Sequence, residues 1–261
     1  MALVLIVITT TKKDAKRKYR ERLAHIFELI KYVYYNNNRV IGYRAMRIFI
    51  KRYGYELNNT TMHKYMNKKL NLFAVIMHSK LGYKTGKKNK IFDNLLNQNF
   101  TVDCKNKVWC TDFTYMRQPN GKFRYNCSII DLYDRSAVAS LNSDYINTDL
   151  AISTLKTALE KENYPKVILH SDQGVQFTSW EFINFCKENN ITQSMSKAGC
   201  PYDNAPVERF YNTFKSNFYN VTSFSNVEMM DELTMKYINW YNYVRPHSHN
   251  NYLTPMGARY K

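Results

Sequence analysis

The rhythm of hydrophobic and polar positions changes near residue 100. Before it, apolar residues recur at helical spacing in a basic background. Lys16–Tyr35 and Tyr43–Tyr53 read as helices, split by the Asn-rich turn "YNNNRVIG". A third short helix, Thr60–Lys69, follows "GYELNNT", with Asn59 or Thr60 as its expected cap. The opening "MALVLIVITT" is apolar for about eight residues, too few to span a bilayer, with no basic residue ahead of it. A strand, or the by-product of an imprecise start codon, is the expectation there. No other stretch is long and apolar enough to cross a membrane.

After residue 100 the period shortens to that of strands. "VWCTDFTYM" (Val108–Met116) is rich in aromatic and β-branched residues. "QPNGK" reads as a hairpin turn, "FRYNCSIIDLYDR" as a second strand and "SAVASLN" as a third. "TDLAISTLKTALEKEN" is an amphipathic helix with Thr148 as its expected cap and Leu150, Leu155 and Leu159 on its buried side. A strand at 167–171, a helix at Trp180–Asn189, the short strand "ITQSMS" and a long helix from Asn204 to Tyr219 complete the pattern. Three strands in hairpin succession, then alternating helices and strands, predict an α/β domain around a mixed sheet.

Charge divides the chain at the same place. The 261 residues carry a net +17, but residues 1–100 hold 21 Lys and Arg against 5 Asp and Glu, while residues 101–261 hold 17 against 16. A strongly basic front predicts a polyanionic partner, nucleic acid or an anionic membrane surface. Two short helices surrounded by Arg39, Arg44, Arg47, Lys51, Arg52, Lys64, Lys68 and Lys69 suit a helix-turn-helix unit, with Thr60, Thr61, His63 and Lys64 opening the helix that would read DNA. "HSKLGYKTGKKNK" (His78–Lys90) reads as a basic linker, either a solvated tether or a strap along phosphates. The expected organisation is a basic helical region over 1–77, a linker over 78–101, an α/β core over 102–222 and a helical tail over 223–261. The five cysteines show neither a CxxC pair nor a ligand spacing, so reduced thiols are expected and structural zinc is not.

Three acids stand out by position. Asp112 lies inside the first strand, Asp172 ends the fourth, and Glu208 lies one turn into the long helix. A mixed sheet can bring all three together. Clustered carboxylates repel, and a cation relieves them. Oxygen ligands suit magnesium, and paired divalent ions serve in-line displacement at phosphorus. Asn204, four residues before Glu208, shares its face and could touch the site or cap the helix. Lys215, seven residues after Glu208, returns to nearly the same face, where a lysine would meet a phosphate. The blander reading is a buried acid, a turn former and a solvated helix acid. Asp131 and Asp134 read as structural, pairing with Arg135 or capping the strand end. His247 and His249 read as part of a loop packing on the core. "HSD" at 170–172 has the letters of a hydrolase triad, but neighbouring strand residues point to opposite faces, and no G-x-S-x-G elbow is present.

Together, "WCTDFTY", "HSDQGVQFTS" and "YDNAPVERFYNTFK" resemble the Asp-Asp-Glu core of integrases and insertion-sequence transposases, with 35 residues between Asp172 and Glu208. "QSMSKAGCPYDNAPVERF", "YNYVRPHSHNNYLTP" and "GYRAM" resemble OrfB of the insertion sequence 3 family more closely, over roughly residues 36–260. The resemblance implies an RNase H-like fold of five mixed strands flanked by helices. It implies Asp112, Asp172 and Glu208 as metal ligands, Mg²⁺ or Mn²⁺ as cofactor in a two-ion site, and strand cleavage followed by joining. It further implies DNA as substrate, a homo-oligomer, an upstream-frame DNA-binding partner and a bacterial cytoplasmic, nucleoid-associated setting. Expected DNA contacts are Lys215, Arg44, Arg47, Thr61, Lys64 and Lys68. The alternatives are an RNase H-like nuclease that cuts without joining, and a DNA-binding regulator derived from a transposase.

Overall fold

The computed structural model describes residues 2–75 and 90–261. The chain forms two units, Met1–Ile76 and Met77–Lys261. Most of the basic linker expected from His78 to Lys90 lies outside the described residues.

In the first unit, α1 (Ala2–Asn36) is followed by α2 (Tyr43–Arg52) and α3 (Asn59–His63), which runs on into one π-helical turn, Lys64–Lys69. The expected strand at the start is helix instead. Once nucleated by the helical stretch from Lys16, a helix extends at little cost per residue, and β-branched residues do not stop it. The third helix is capped by neither Asn59 nor Thr60. Asn58 is the last residue with extended backbone, and its side chain accepts the Thr61 N–H at 2.7 Å. Ile30, Met46, Ile50, Met62 and Met66 are fully buried and form this unit's core.

The second unit is built on β1 (Val108–Arg117), β2 (Phe123–Asp131), β3 (Ala137–Ser143), α4 (Thr148–Lys161), β4 (Ile168–Ser171), α5 (Trp180–Glu188) and β5 (Thr192–Met195). A 3₁₀ turn (Pro201–Asn204) leads into α6 (Ala205–Asn217), and α7 (Val227–Tyr243) and α8 (Pro255–Arg259) close the chain. The sheet order is β3-β2-β1-β4-β5. β1 pairs antiparallel with β2, and β2 with β3, whereas β4 lies parallel to both β1 and β5.

Alternation along β1 sorts its side chains into two cores. Val108, Cys110 and Met116 pack with Phe210, Tyr211 and Phe214 of α6 and Tyr237 and Tyr241 of α7. Trp109, on the other face, packs with Leu155 and Leu159 of α4 and Phe182 of α5. The segment before the sheet joins both cores: Phe92 lies against the second, while Leu96, Phe100 and Val102 lie in or against the first. α4 is capped by Asn147 rather than Thr148, because Asn147 is the extended residue whose oxygen reaches Leu150 N–H at 3.1 Å.

Asp131 and Asp134 do not pair with Arg135. Both are fully buried and bind Arg259 of α8, at 2.9 and 2.5 Å, and Arg259 also reaches Glu162 at 2.5 Å. Arg135 takes a positive φ and turns its guanidinium to the Phe100 carbonyl at 3.0 Å. Its neighbouring acids therefore take a cation from the far end of the unit, 125 residues beyond Asp134. The five cysteines are free thiols. Among the described residues no helix is long and apolar enough to cross a membrane.

Candidate active site

β1 and β4 bring two of the three acids side by side. Their parallel register runs Val108↔Ile168, Trp109↔Leu169, Cys110↔His170. Continued two residues, it sets position 112 beside position 172. By alternation Asp112 shares the face of Cys110, toward α6. Its Oδ1 accepts the Phe113 N–H at 2.7 Å. Asp172 leaves the end of β4, and its Oδ1 accepts the Gly174 N–H at 2.8 Å.

α6 supplies the third acid. Glu208 lies in its first turn. Tyr211, three residues on, donates its hydroxyl to the Asp112 carbonyl at 2.8 Å, and so pins α6 to β1 at the acid itself. Burial raises the Asp112 pKa well above the usual carboxylate range. The Asp172 and Glu208 charges raise it further, while the Phe113 N–H and Lys215 oppose them. The residue Glu208 is exposed, yet desolvation of its carboxyl raises its pKa as well. As the side chains stand, no group of three His, Cys, Asp or Glu among the described residues encloses an ion. Asp112 feels the charges of both other acids, and three carboxylates so placed are a set of hard oxygen donors, the chemistry a divalent cation such as Mg²⁺ requires. Beside them Asn204 is buried, its Nδ2 reaching the Thr111 carbonyl at 3.5 Å and its Oδ1 without a hydrogen-bond partner among the described residues.

Lys215 is half-buried on α6. Its ammonium lies 4.7 Å from the centre of the Tyr115 ring. Burial lowers its pKa and the Asp112 charge raises it. His170 forms no triad with its neighbours. It is fully buried, with Nδ1 at 2.8 Å from Ser194 Oγ and Nε2 at 2.9 Å from the Asp203 carbonyl. His247 and His249 lie in the turn after α7. His249 Nε2 meets the Tyr133 carbonyl at 3.2 Å, and burial drives the His247 pKa down to about 3.

The remaining candidates lie in the first unit. Arg44, exposed, and Arg47 are on α2, Thr61 is in the first turn of α3, and Lys64 and Lys68 are exposed on the π-helical turn. Sequence reasoning missed the partners of Tyr211 and Asp203. A tyrosine three residues after an acid and an Asp–Asn pair before the helix were visible, but their partners are 99 and 109 residues away.

Two models described as "Integrase core domain" match residues 102–201 and 189–255. The class is thus the integrase core. InsK of insertion sequence element IS150 from Escherichia coli K12, named as a transposase, is 30% identical over 240 residues, 92% of this chain and 84% of InsK. The transposase InsF of insertion sequence IS3A, also from Escherichia coli K12, is 35% identical over 167 residues, 63% of this chain and 58% of InsF. The chain belongs to the insertion sequence 3 family of DNA transposases. A chain of the simian T-cell lymphotropic virus intasome superposes with a TM-score of 0.50 at 18% identity, over 61% of this chain and 57% of that one, which shows a shared fold.

Proposed function

We propose that this transposase cuts DNA at the ends of its insertion sequence and joins the freed ends to a target strand, with Asp112, Asp172 and Glu208 as ligands of two divalent cations, Mg²⁺ or Mn²⁺. The observation that carries this reading is the convergence of three acids, Asp112 on β1, Asp172 just past the end of β4 and Glu208 on α6, with Asp112 set beside Asp172 by the strand register and its pKa raised by burial and by the other two. Folding keeps such an arrangement at a cost, and bound cations would offset it. When bound, they would supply charge stabilisation at the scissile phosphate and a more acidic attacking oxygen.

Two displacements at phosphorus follow. In the first, a water oxygen bonds to phosphorus at the element end, the bond to the 3′ oxygen breaks, and a free 3′-OH is left. In the second, that 3′ oxygen bonds to a target phosphorus and the target's own 3′ oxygen leaves. Each step makes one P–O bond, breaks one, and releases the nucleophile's proton toward the leaving oxygen or solvent. No bond forms between protein and DNA. Lys215, on the same helix as Glu208, would supply the counter-charge to a phosphate beside the scissile one. Arg44, Arg47, Thr61, Lys64 and Lys68 in the basic unit would hold flanking DNA. Two ends must be cut and joined together, so a homo-oligomer is expected, as is help from an upstream-frame DNA-binding protein. A DNA substrate and bacterial relatives favour work in the cytoplasm at the nucleoid.

The test is a gel assay on DNA carrying the element's terminal repeats, with and without the upstream protein. Cleavage and joined product are expected with Mg²⁺ or Mn²⁺, and binding alone with Ca²⁺. Cleavage without joining, even from a pre-cut 3′-OH end, would make the protein a nuclease. Neither reaction under any of these conditions would overturn the reading.

A further inference from the structure

Asp203 lies in the 3₁₀ turn five residues ahead of Glu208 and is 2% exposed. Among the described residues no lysine or arginine side chain pairs with it. Its carboxylate is instead enclosed by N–H donors. Oδ2 accepts from Asn94 Nδ2 at 2.9 Å and from the Lys197 N–H at 3.0 Å, and Oδ1 accepts from Gln98 Nε2 at 2.9 Å.

The same residue is held through its backbone. Its carbonyl only accepts, so His170 Nε2 carries the proton of the 2.9 Å bond between them. Nδ1 of the neutral ring then accepts from the Ser194 hydroxyl at 2.8 Å, and that oxygen accepts the Leu95 N–H at 3.0 Å. Every member of the chain is satisfied. It ties together the segment Asn94–Gln98, the end of β4, β5 and the entry to α6.

This bracket joins the two acid-bearing elements where each leaves regular structure. His170 is two residues before Asp172, and Asp203 is five before Glu208. Of the strands, α6 packs chiefly on β1 and β2. Packing therefore sets Glu208 against Asp112, whereas its setting against Asp172 rests on the bracket. We propose that Asp203, clamped by Asn94, Gln98 and His170, is a positioning residue that fixes the helix of Glu208 against the strand end of Asp172. The segment before the sheet is then part of the catalytic apparatus. This inference rests on the three-acid reading above.

The test uses the full chain and three measurements: Mn²⁺ affinity by titration calorimetry, kcat and KM for end cleavage, and the melting temperature. Asp203→Ala should weaken Mn²⁺ binding by about tenfold, the usual cost of removing a residue that orients a ligand. Its kcat should fall on the order of 100-fold while KM for DNA holds. Asp203→Asn should restore both, because the amide oxygen serves Lys197 and Asn94 while Gln98 turns its own oxygen to the new NH₂. Gln98→Ala, which removes one donor outside the turn, should show a milder loss of the same kind and serves if Asp203→Ala fails to fold. Parental Mn²⁺ affinity and kcat in Gln98→Ala, or losses that track melting temperature alone and are not restored by Asn, would overturn the inference. Asp112→Asn separates the two failures. If it still binds Mn²⁺ and cleaves, the three-acid reading falls. If it is inert while Asp203→Ala matches the parent, only the bracket's role falls.

Discussion

The backbone N–H of Gly174 lies 2.8 Å from Asp172 Oδ1, and a Cβ at position 174 would lie 2.8 Å from that same oxygen and 3.2 Å from Gln176 Oε1. The loop after β4 approaches the carboxylate so closely that a side chain at 174 would force it to move. Gly174→Ala should displace Asp172 and lower end cleavage on the order of 100-fold, as small misplacements do. Its melting temperature should move little, since the Asp172 carboxylate can swing aside without disturbing the core. Parental cleavage by Gly174→Ala would mean that this spacing does not set the acid.

Asp112 should show a trade of stability for activity. Its pKa is raised by burial and by Asp172 and Glu208. A carboxyl whose folded pKa is raised favours folding below its unfolded pKa, and that contribution is lost as pH rises through the folded value. At neutral pH Asp112 therefore destabilises the fold. Asp112→Asn should abolish cleavage and joining yet gain about 0.5–2 kcal/mol of stability, read by denaturant unfolding without metal. Asp172→Asn and Glu208→Gln should lose both reactions with the fold intact. Near-normal cleavage by any of the three removes that residue from the site.

The buried cluster around Arg259 makes the opposite prediction. Arg259→Met leaves Asp131 and Asp134 buried without their cation, an error that costs about 3–5 kcal/mol. Burial and Asp134 already raise the Asp131 pKa, and Arg259 is among the groups that lower it. Without the guanidinium it rises further, so the variant regains stability as pH falls through that raised value. Urea unfolding at several pH values should show the largest deficit at neutral pH. A deficit independent of pH would assign the loss to α8 packing alone.

Local pattern made the sheet readable and hid the long-range partners. Strand alternation, the turn at Gln118–Lys122 and the helix faces are short-range signals, and β1, β4 and α6 fall close to their expected places. The three acids stand out in the sequence because the flanking motifs resemble a known core. The caps were misplaced by one or two residues, since Asn58–Asn59–Thr60 and Asn147–Thr148 each offer more than one capping side chain and only backbone angles choose between them. Asp131 offered a nearby Arg135 in sequence, but a positive φ at Arg135 turns that side chain away. Arg259, Asn94 and Gln98 carry no local mark of their roles, because a hydrogen bond across about 100 residues leaves no periodicity.

Net charge concentrated in the front of the chain should be visible in salt dependence. Arg44, Lys64 and Lys68 are exposed, so replacing them spares the core. The triple alanine variant should bind duplex DNA more weakly. Its slope of log affinity against log salt should become shallower by about 0.9 for each phosphate that is no longer neutralised. An unchanged slope would make these residues a solvated surface.

Lys215 carries the last prediction. It lies seven residues after Glu208, about 10.5 Å along the helix and nearly on the same face. Its ammonium sits 4.7 Å over the Tyr115 ring, and among the described residues it forms no ion pair with a carboxylate. A cation over an aromatic face keeps most of its charge available, because the ring contributes a quadrupole and no counter-ion. It is therefore pre-set to receive a phosphate without first breaking a salt bridge. Lys215→Ala should weaken binding of the element end and slow joining. Stability should change by no more than about 0.5–1 kcal/mol, the scale of one cation–π interaction. Lys236 is the control: it is exposed, paired with Glu232 at 2.6 Å, and lies on α7. Filter binding and joining assays on both alanine variants decide the matter. If Lys215→Ala joins ends as fast as Lys236→Ala and the parent, Lys215 does not touch the DNA.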